Sequence, residues 1–260
     1  NIVKDVAEID INTCFARNTV EWNLTKPVLT YTSSSPSSLS IKGLRHPIIE
    51  RTSTCVENDV SLGYDEHNGM LLYGINSSGK SSLMKAVGIN ILLAQSGSFV
   101  FAKEMTFEPY HNLMTRITGR DNIFRGLSTF EVEINELRNI ILRADEHSLV
   151  LGDEVCSGTE SVSAISIVCA TLKKLVDKCS SFIFATHLHE LVDISIIKEL
   201  VPRYIFVGHL EINFENNKII YNRTLKEGSG DPVYGIDVCR CLRMPLDFIK
   251  MACDVKKELI

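Results

Sequence analysis

The densest chemistry in the chain lies in Gly74-Ile75-Asn76-Ser77-Ser78-Gly79-Lys80-Ser81-Ser82. The spacing G-x-x-x-x-G-K-[ST] is that of a phosphate-binding loop of nucleotide hydrolases. Backbone N–H groups turned inward at a helix start make a site for an anion. Lys80 then offers a point charge to β- and γ-phosphates, and the Ser81 hydroxyl can reach Mg²⁺. Gly74, Ser77, Gly79, Lys80, Ser81 and Ser82 are therefore the expected nucleotide contacts. A plain Gly/Ser turn is the competing reading, but the apolar run Met70-Leu71-Leu72-Tyr73 before the loop and a helix-like segment from Lys80 through Leu93 after it favour the phosphate site.

Two further signals sit downstream. Leu149-Val150-Leu151-Gly152 is an apolar strand pattern that ends in Asp153-Glu154. Asp153 is placed to hold Mg²⁺, through water, and Glu154 to orient or deprotonate the attacking water. Gly152 is an unusual strand residue unless something approaches its Cα closely. Phe184-Ala185-Thr186-His187 puts a histidine at a strand end, where open α/β sheets place ligands, and His187 can hydrogen-bond a γ-phosphate there. His189 is read as incidental.

The elements needed to carry these residues follow from periodicity. Helices are expected over Thr129 to Arg143, where Phe130, Ile134, Leu137 and Ile141 recur at three or four, and over Ser161 to Val176. Short strands are expected at Gly97 to Ala102, Leu149 to Leu151, Ser181 to Ala185 and Arg203 to Leu210, with a hairpin from Glu211 to Leu225 turning at Glu215 to Lys218. Asn1 to about Thr25 reads as part of a helix packing on something, Tyr31 to Ser40 as a Ser-rich loop with Pro36, and Ile236 to Ile260 as helical with a break at Pro245. Strands alternating with helices predict an α/β fold, with a mostly parallel sheet flanked by helices and an antiparallel β portion.

Bulk properties restrict the function. The 260 residues hold one large domain plus a small appendage, and 45% hydrophobic residues suffice for a core. A net charge of −5 argues against a segment that is mainly a nucleic-acid-binding surface. The 8 cysteines show no C-x-x-C pair, and Cys239-Arg240-Cys241 is too close for a zinc knuckle, so they read as reduced residues in an intracellular compartment such as cytoplasm, nucleus or organelle matrix. No run approaches a membrane span, so no membrane role is expected. The first residue is Asn1, which fits a fragment of something longer.

The ordered set of motifs resembles the MutS-type mismatch-repair ATPases. It comprises Gly74 to Ser82, Leu127-Ser128-Thr129-Phe130-Glu131-Val132-Glu133, Asp153-Glu154 with Ser157-Gly158-Thr159-Glu160, and Ala185-Thr186-His187. Arg45-His46-Pro47, Leu93 to Val100, Lys226-Glu227-Gly228 and Tyr234-Gly235-Ile236 are similar to that family too. The resemblance covers about residues 41 to 253. It implies an ATP- and Mg²⁺-dependent ATPase of the ABC superfamily, with residues 1–40 as the end of a helical connector and linker, 41–260 as the ATPase domain, and a helical dimerisation segment from about 236. It further implies a dimer with a second such domain, an identical chain in the simplest case, and contact with mismatched or branched DNA through parts outside this chain. Ser128 would then reach the partner's γ-phosphate in trans, with Thr129 beside it. Both can equally serve as a helix N-cap, with Glu131 in the first turn. The Ser157 to Glu160 loop would lie along the dimer contact, Gln95 would sense the metal and attacking water, and Asn76 would add a nucleotide contact.

The chain departs from the family pattern at Val155-Cys156-Ser157, at Glu160 where serine is common, and at Cys55-Val56-Glu57-Asn58-Asp59, where the family has an aromatic residue near a Pro-Asn-Asp stretch. Arg223 falls where a second adenine-facing ring is expected and could stack by its guanidinium plane. Three alternatives stay open: a MutS relative that binds recombination junctions, another ABC-type ATPase of the transporter or chromosome-structure kind, and a nucleotide-binding module without turnover. The second lacks its usual Leu-Ser-Gly-Gly-Gln-like signature here, and intact Lys80, Asp153, Glu154 and His187 oppose the third.

Overall fold

The computed structural model describes residues 2–30, 35–63, 67–117, 129–215, 218–230 and 235–259. Its frame is a six-stranded sheet in the order β10-β9-β4-β8-β7-β6. The strands are β4 (Gly69–Tyr73), β6 (Asn112–Arg116), β7 (Ser148–Asp153), β8 (Ser181–Ala185), β9 (Ile205–Glu215) and β10 (Lys218–Glu227). All neighbours pair in parallel except β9 with β10, which form an antiparallel hairpin at one edge. A second sheet, in the order β1-β5-β2-β3, uses β1 (Val28–Leu29), β2 (Leu39–Leu44), β3 (Asn58–Leu62) and β5 (Glu104–Phe107).

Every residue of β4, β7 and β8 is buried, as expected for central parallel strands covered on both faces. The period-two alternation divides their side chains between two cores. Met70, Leu72, Leu149, Leu151 and Ile183 face α2 (Lys80–Gln95) and the small sheet. Leu71, Tyr73, Val150, Phe182 and Phe184 face α3 (Thr129–Arg143), α4 (Ser161–Asp177) and α5 (Ser195–Leu200). Each of these large side chains contributes about 1.5–3 kcal/mol by leaving water, so the strand ends that carry Gly74, Asp153 and Thr186 are fixed from both sides.

The long helices match the sequence periodicity closely: α3 begins at Thr129 and α4 at Ser161. The C-terminal helical segment divides at Pro245 into α6 (Gly235–Cys241) and α7 (Leu246–Leu259). The proposed strand at Gly97 to Ala102 is replaced by a loop with one bridge, Val100 to Thr25. Gly97 sits at φ +85° and turns the chain out of α2. The Phe101 N–H then donates to the Asn90 side chain at 2.7 Å, and its carbonyl accepts from the Arg45 N–H, so those backbone groups are satisfied without a ladder. The strand forms next along the chain, as β5. The first helix, α1 (Ile2–Trp22), has no buried residue here.

Candidate functional site

The N-terminus of α2, the end of β7 and the 3-10 turn Ile49–Arg51 enclose a cavity of about 530 Å³. That falls within the range of small-molecule sites. Asn76, Ser77, Gly79, Lys80, Ser81 and Ser82 line it from the loop, and Asp153 and Glu154 from the sheet. The phosphate loop and the acid pair expected from the sequence, far apart in the chain, thus meet in one space.

The loop between β4 and α2 needs its glycines. Gly74 has φ +147° and Gly79 φ +111°, and a Cβ at Gly74 would stand 2.7 Å from Ser78 Oγ. Ser77 also adopts a left-handed backbone, at φ +68°. The first N–H groups of α2 have no intrahelical acceptor, and they open toward the cavity. Lys80 is buried at 5% exposure. Its Nζ donates to the Gly74 carbonyl at 2.5 Å and the Ile75 carbonyl at 3.2 Å, and stands 4.0 Å from Glu154 Oε1. Burial lowers the Lys80 pKa, against the opposing pull of Glu154 and Asp153. Ser78 Oγ is fully buried and has no hydrogen-bond partner among the described residues.

Asp153 ends β7 opposite Ala185 of β8. A Cβ on Gly152 would lie 3.0 Å from Val155 and 3.1 Å from Phe184, so glycine there permits the close approach that its place in a strand suggested. The chain then turns sharply. Glu154 has φ +48° and Cys156 φ +66°, both left-handed. Each such non-glycine residue costs about 1–3 kcal/mol and persists only where its surroundings over-determine it. Three hydrogen bonds hold this turn: Glu154 N–H to the Ala185 carbonyl at 2.9 Å, Ser157 N–H to the Glu154 carbonyl at 3.2 Å, and Cys156 N–H to Glu133 Oε1 at 2.7 Å. Burial, and secondarily the Glu133 charge, push the Cys156 thiol up to about 11.

His187 is exposed and shares a small cleft with Glu154, Ser157 and Thr159, separate from the main cavity. His189 packs its ring against Tyr73, with centroids 4.9 Å apart. Ser128 lies outside the described residues. Like His187, Gln95 does not line the main cavity. It ends α2, about 22 Å along the helix from Lys80 at ~1.5 Å per residue. Its amide is engaged at both ends by Tyr110: Nε2 donates to the carbonyl at 2.9 Å and Oε1 accepts the N–H at 2.8 Å. Its position lines a different cavity, with Lys26, Phe99 and Phe107.

The far end of the main cavity is lined by Thr52 to Val56, Asn58, Leu210 and Arg223. Among the described lining residues there is no Phe, Tyr or Trp. Arg223 occupies a bulge in β10 at φ +59°, where the register shifts between Tyr221 and Leu225. Asn58 clamps that bulge: its Nδ2 donates to the Arg223 carbonyl at 3.0 Å and its Oδ1 accepts the Leu225 N–H at 2.6 Å. The Arg223 stem passes 3.8 Å from where a Gly79 Cβ would be, and its Nε is buried without a hydrogen-bond partner among the described residues. His46 closes the same wall. Its Nδ1 accepts the N–H groups of Ile48 and Ile49, and burial lowers its pKa. Sequence reading missed these roles of Asn58 and His46, because each is a capping role set by distant backbone.

The donor set fits a magnesium nucleotide. Buried Lys80, the Ser78 hydroxyl without a partner among the described residues, and the helix start offer donors to phosphate oxygens. Among the described residues no group of three or more His, Cys, Asp or Glu could hold a metal by itself. Ser81 and Asp153 supply two oxygens beside the loop, which suits Mg²⁺, an ion that keeps waters and phosphate ligands.

Comparison with known proteins adds identity to this geometry. Residues 70–260 match MutS domain V. The chain belongs to the MutS family. It is 39% identical to the mitochondrial DNA mismatch repair protein mutS homolog of Sarcophyton glaucum, over 91% of this chain and 24% of that protein. It is 34% identical to the DNA mismatch repair protein MutS of Thermotoga sp. (strain RQ2), over 97% of this chain and 31% of the relative. A MutS of Listeria welshimeri is 35% identical, over 99% and 29%. The chain therefore spans roughly a quarter to a third of the length of these MutS relatives. The mixed α/β fold, with two sheets flanked by helices, is that of a P-loop ATPase-type domain.

Proposed function

We propose that this chain is the ATP-binding and ATP-hydrolysing domain of a MutS-like DNA mismatch-recognition protein, an ABC-superfamily ATPase whose complete site forms between two such domains. The observation that carries the reading is the convergence of Lys80, Ser81, Asp153 and Glu154 on one cavity. In this reading Gly74, Asn76, Ser77, Gly79, Lys80, Ser81 and Ser82 hold the phosphates, and Ser81 and Asp153 hold Mg²⁺. Lys80 exchanges its two loop carbonyls for phosphate oxygens. Glu154 orients the attacking water from the sheet side, His187 donates to the γ-phosphate, and Ser128 completes the partner's site. Bound Mg²⁺ supplies charge neutralisation of the phosphates. Positioning and electrostatics supply most of the catalysis, so dividing the site between two chains makes hydrolysis conditional on closure. Differential binding of ATP to the closed dimer then drives the clamp state.

In the same reading, residues 1–40 are the end of the connector and its linker, 41–260 the ATPase domain, and the segment from about 236 the dimerisation helices. The second domain is an identical chain. Mismatched DNA is read by parts of the protein beyond this chain, as the greater length of the relatives supports. All eight cysteines are free, which suits a reducing intracellular compartment. Among the described residues no helix is long and apolar enough to cross a membrane.

Sedimentation velocity of Glu154→Gln with and without Mg-ATP tests this, beside steady-state hydrolysis by the unaltered protein. The expected result is nucleotide-dependent dimerisation of the variant with its turnover lost. A variant that hydrolyses ATP at the unaltered rate removes Glu154 from the water-directing role.

A further inference from the structure

Glu133 is 1% exposed, yet it belongs to a helix that has an open face, and no role in nucleotide binding falls to it. One oxygen of its carboxylate, Oε1, faces two partners. It accepts the Cys156 N–H at 2.7 Å, and it stands 3.5 Å from Arg116 Nη2. Arg116, itself 7% exposed, ends β6 opposite Gly152 of β7, and its Nε lies 3.1 Å from Glu136, an ion-pair distance without hydrogen-bond alignment. A buried carboxylate that pairs with an arginine and also accepts a backbone N–H fixes that peptide firmly, because losing the contact leaves a buried amide unsatisfied.

The peptide so fixed is the strained one. Cys156 is two residues after Glu154, and both are left-handed. A second contact reinforces the first: a Cβ on Gly158 would meet Phe130 backbone and Cβ atoms at 3.5–3.6 Å, so the segment after the turn lies directly on the start of α3. The direction of the Glu154 side chain is therefore set from α3, through Glu133 and Phe130, as well as from β8.

We propose that Glu133 is a positioning residue for hydrolysis: pinned by Arg116, it holds the left-handed turn at Cys156 and thereby fixes where the Glu154 carboxylate stands. The proposal rests on the reading of Glu154 as the water-directing group. It makes the turnover step, rather than nucleotide binding, depend on how α3 sits against β7.

The test measures nucleotide affinity, single-turnover hydrolysis and thermal midpoint for Glu133→Ala, Glu133→Gln and the double variant Glu133→Ala/Cys156→Gly, with Glu154→Gln as reference. Glu133→Ala should lower the hydrolysis rate about tenfold or more while nucleotide affinity stays within about twofold, as misplacement of a catalytic group does. Glu133→Gln keeps an oxygen for the Cys156 N–H and should stay within about threefold of the unaltered rate. Glycine adopts positive φ without support, so the double variant should recover part of the lost rate. If Glu133→Ala does not fold, Glu133→Gln carries the test alone, and a rate as low as that of Glu154→Gln overturns the proposal. Full activity of Glu133→Ala beside an inactive Glu154→Gln overturns the proposal alone. Full activity of Glu154→Gln overturns the reading beneath it. Equal loss in the Ala and Gln variants, with no recovery in the double variant, assigns Glu133 to charge balance and also overturns it.

Discussion

Lys80 Nζ stands 4.0 Å from Glu154 Oε1, with the lysine buried and the carboxylate partly open to solvent. Both residues line the cavity, so the pair joins the phosphate loop to the acid turn. Burial lowers the Lys80 pKa, and Glu154 is the larger of the two carboxylate influences that raise it again. A lowered pKa means that the free protein loses this proton below the usual lysine value. The counter-charge for ATP is complete at lower pH and fades as pH rises. Bound phosphates favour the charged form, so affinity should hold at neutral pH and fall as pH rises through the free-protein pKa. In Glu154→Gln a supporting charge is gone, and the fall should begin at lower pH. Equilibrium ATP binding over roughly pH 7 to 10 checks this. A fall that stays in place or moves upward in the variant contradicts the coupling.

Gly152 offers a second test, on stability and metal placement. An added methyl would press on Val155 at 3.0 Å and Phe184 at 3.1 Å, both fixed by the core. Gly152→Ala should cost about 1–3 kcal/mol by overpacking, seen as a lower denaturant midpoint. Because Asp153 is the next residue, the Mg²⁺ concentration needed for half-maximal hydrolysis should rise as well. Unchanged stability would show that the Val155 turn yields freely.

The parts of this site that were legible in sequence are those governed by local rules. Gly74, Gly79 and Lys80 announce themselves because phosphate chemistry needs those residue types at fixed spacing. The place of Asp153 beside the loop follows from an apolar run that ends in polar residues, and α3 and α4 from three-and-four periodicity. What was not legible is what distant chain segments decide. The backbone of Phe101 looks strand-like until Asn90, eleven residues earlier, takes its N–H. Gln95 reads as a site residue until Tyr110 occupies its amide. Asn58 clamps a bulge 165 residues away, a relationship to which no local pattern points.

Arg45 connects the cavity wall to the end of α1. Its guanidinium donates to the Asn23 carbonyl at 2.6 Å and pairs with Glu50 at 2.7 Å, while Arg51 lies 4.3 Å over the Trp22 ring. Glu50 and Arg51 belong to the 3-10 turn that borders the cavity. Arg45→Ala should therefore act in two places. Limited proteolysis near Asn23 to Lys26 should quicken as the helix end is released, and nucleotide affinity should weaken by a few-fold, roughly 0.5–1 kcal/mol for one partly buried polar contact. Faster cleavage with unchanged affinity would separate the helix from the wall.

Asn58 and Arg223 divide a conformational role from a contact role. Arg223 sits at φ +59° with its carbonyl and the Leu225 N–H both held by Asn58. Asn58→Ala removes two part-buried hydrogen bonds, at about 0.5–1.5 kcal/mol each, and should cost about 1–3 kcal/mol in stability. It should also lower nucleotide affinity, since the bulge aims Arg223 over Gly79. Arg223→Gly is the complementary change. Glycine accepts the positive φ without strain, so the bulge persists while the guanidinium is removed. Its stability should match or exceed that of the unaltered protein, and any loss of ATP affinity then belongs to the side chain itself. If that loss is the same for ATP and GTP, Arg223 covers the nucleotide without choosing the base. That is the result expected of a guanidinium plane in a cavity whose described lining carries no Phe, Tyr or Trp. A loss confined to ATP would instead make Arg223 an adenine-selective contact.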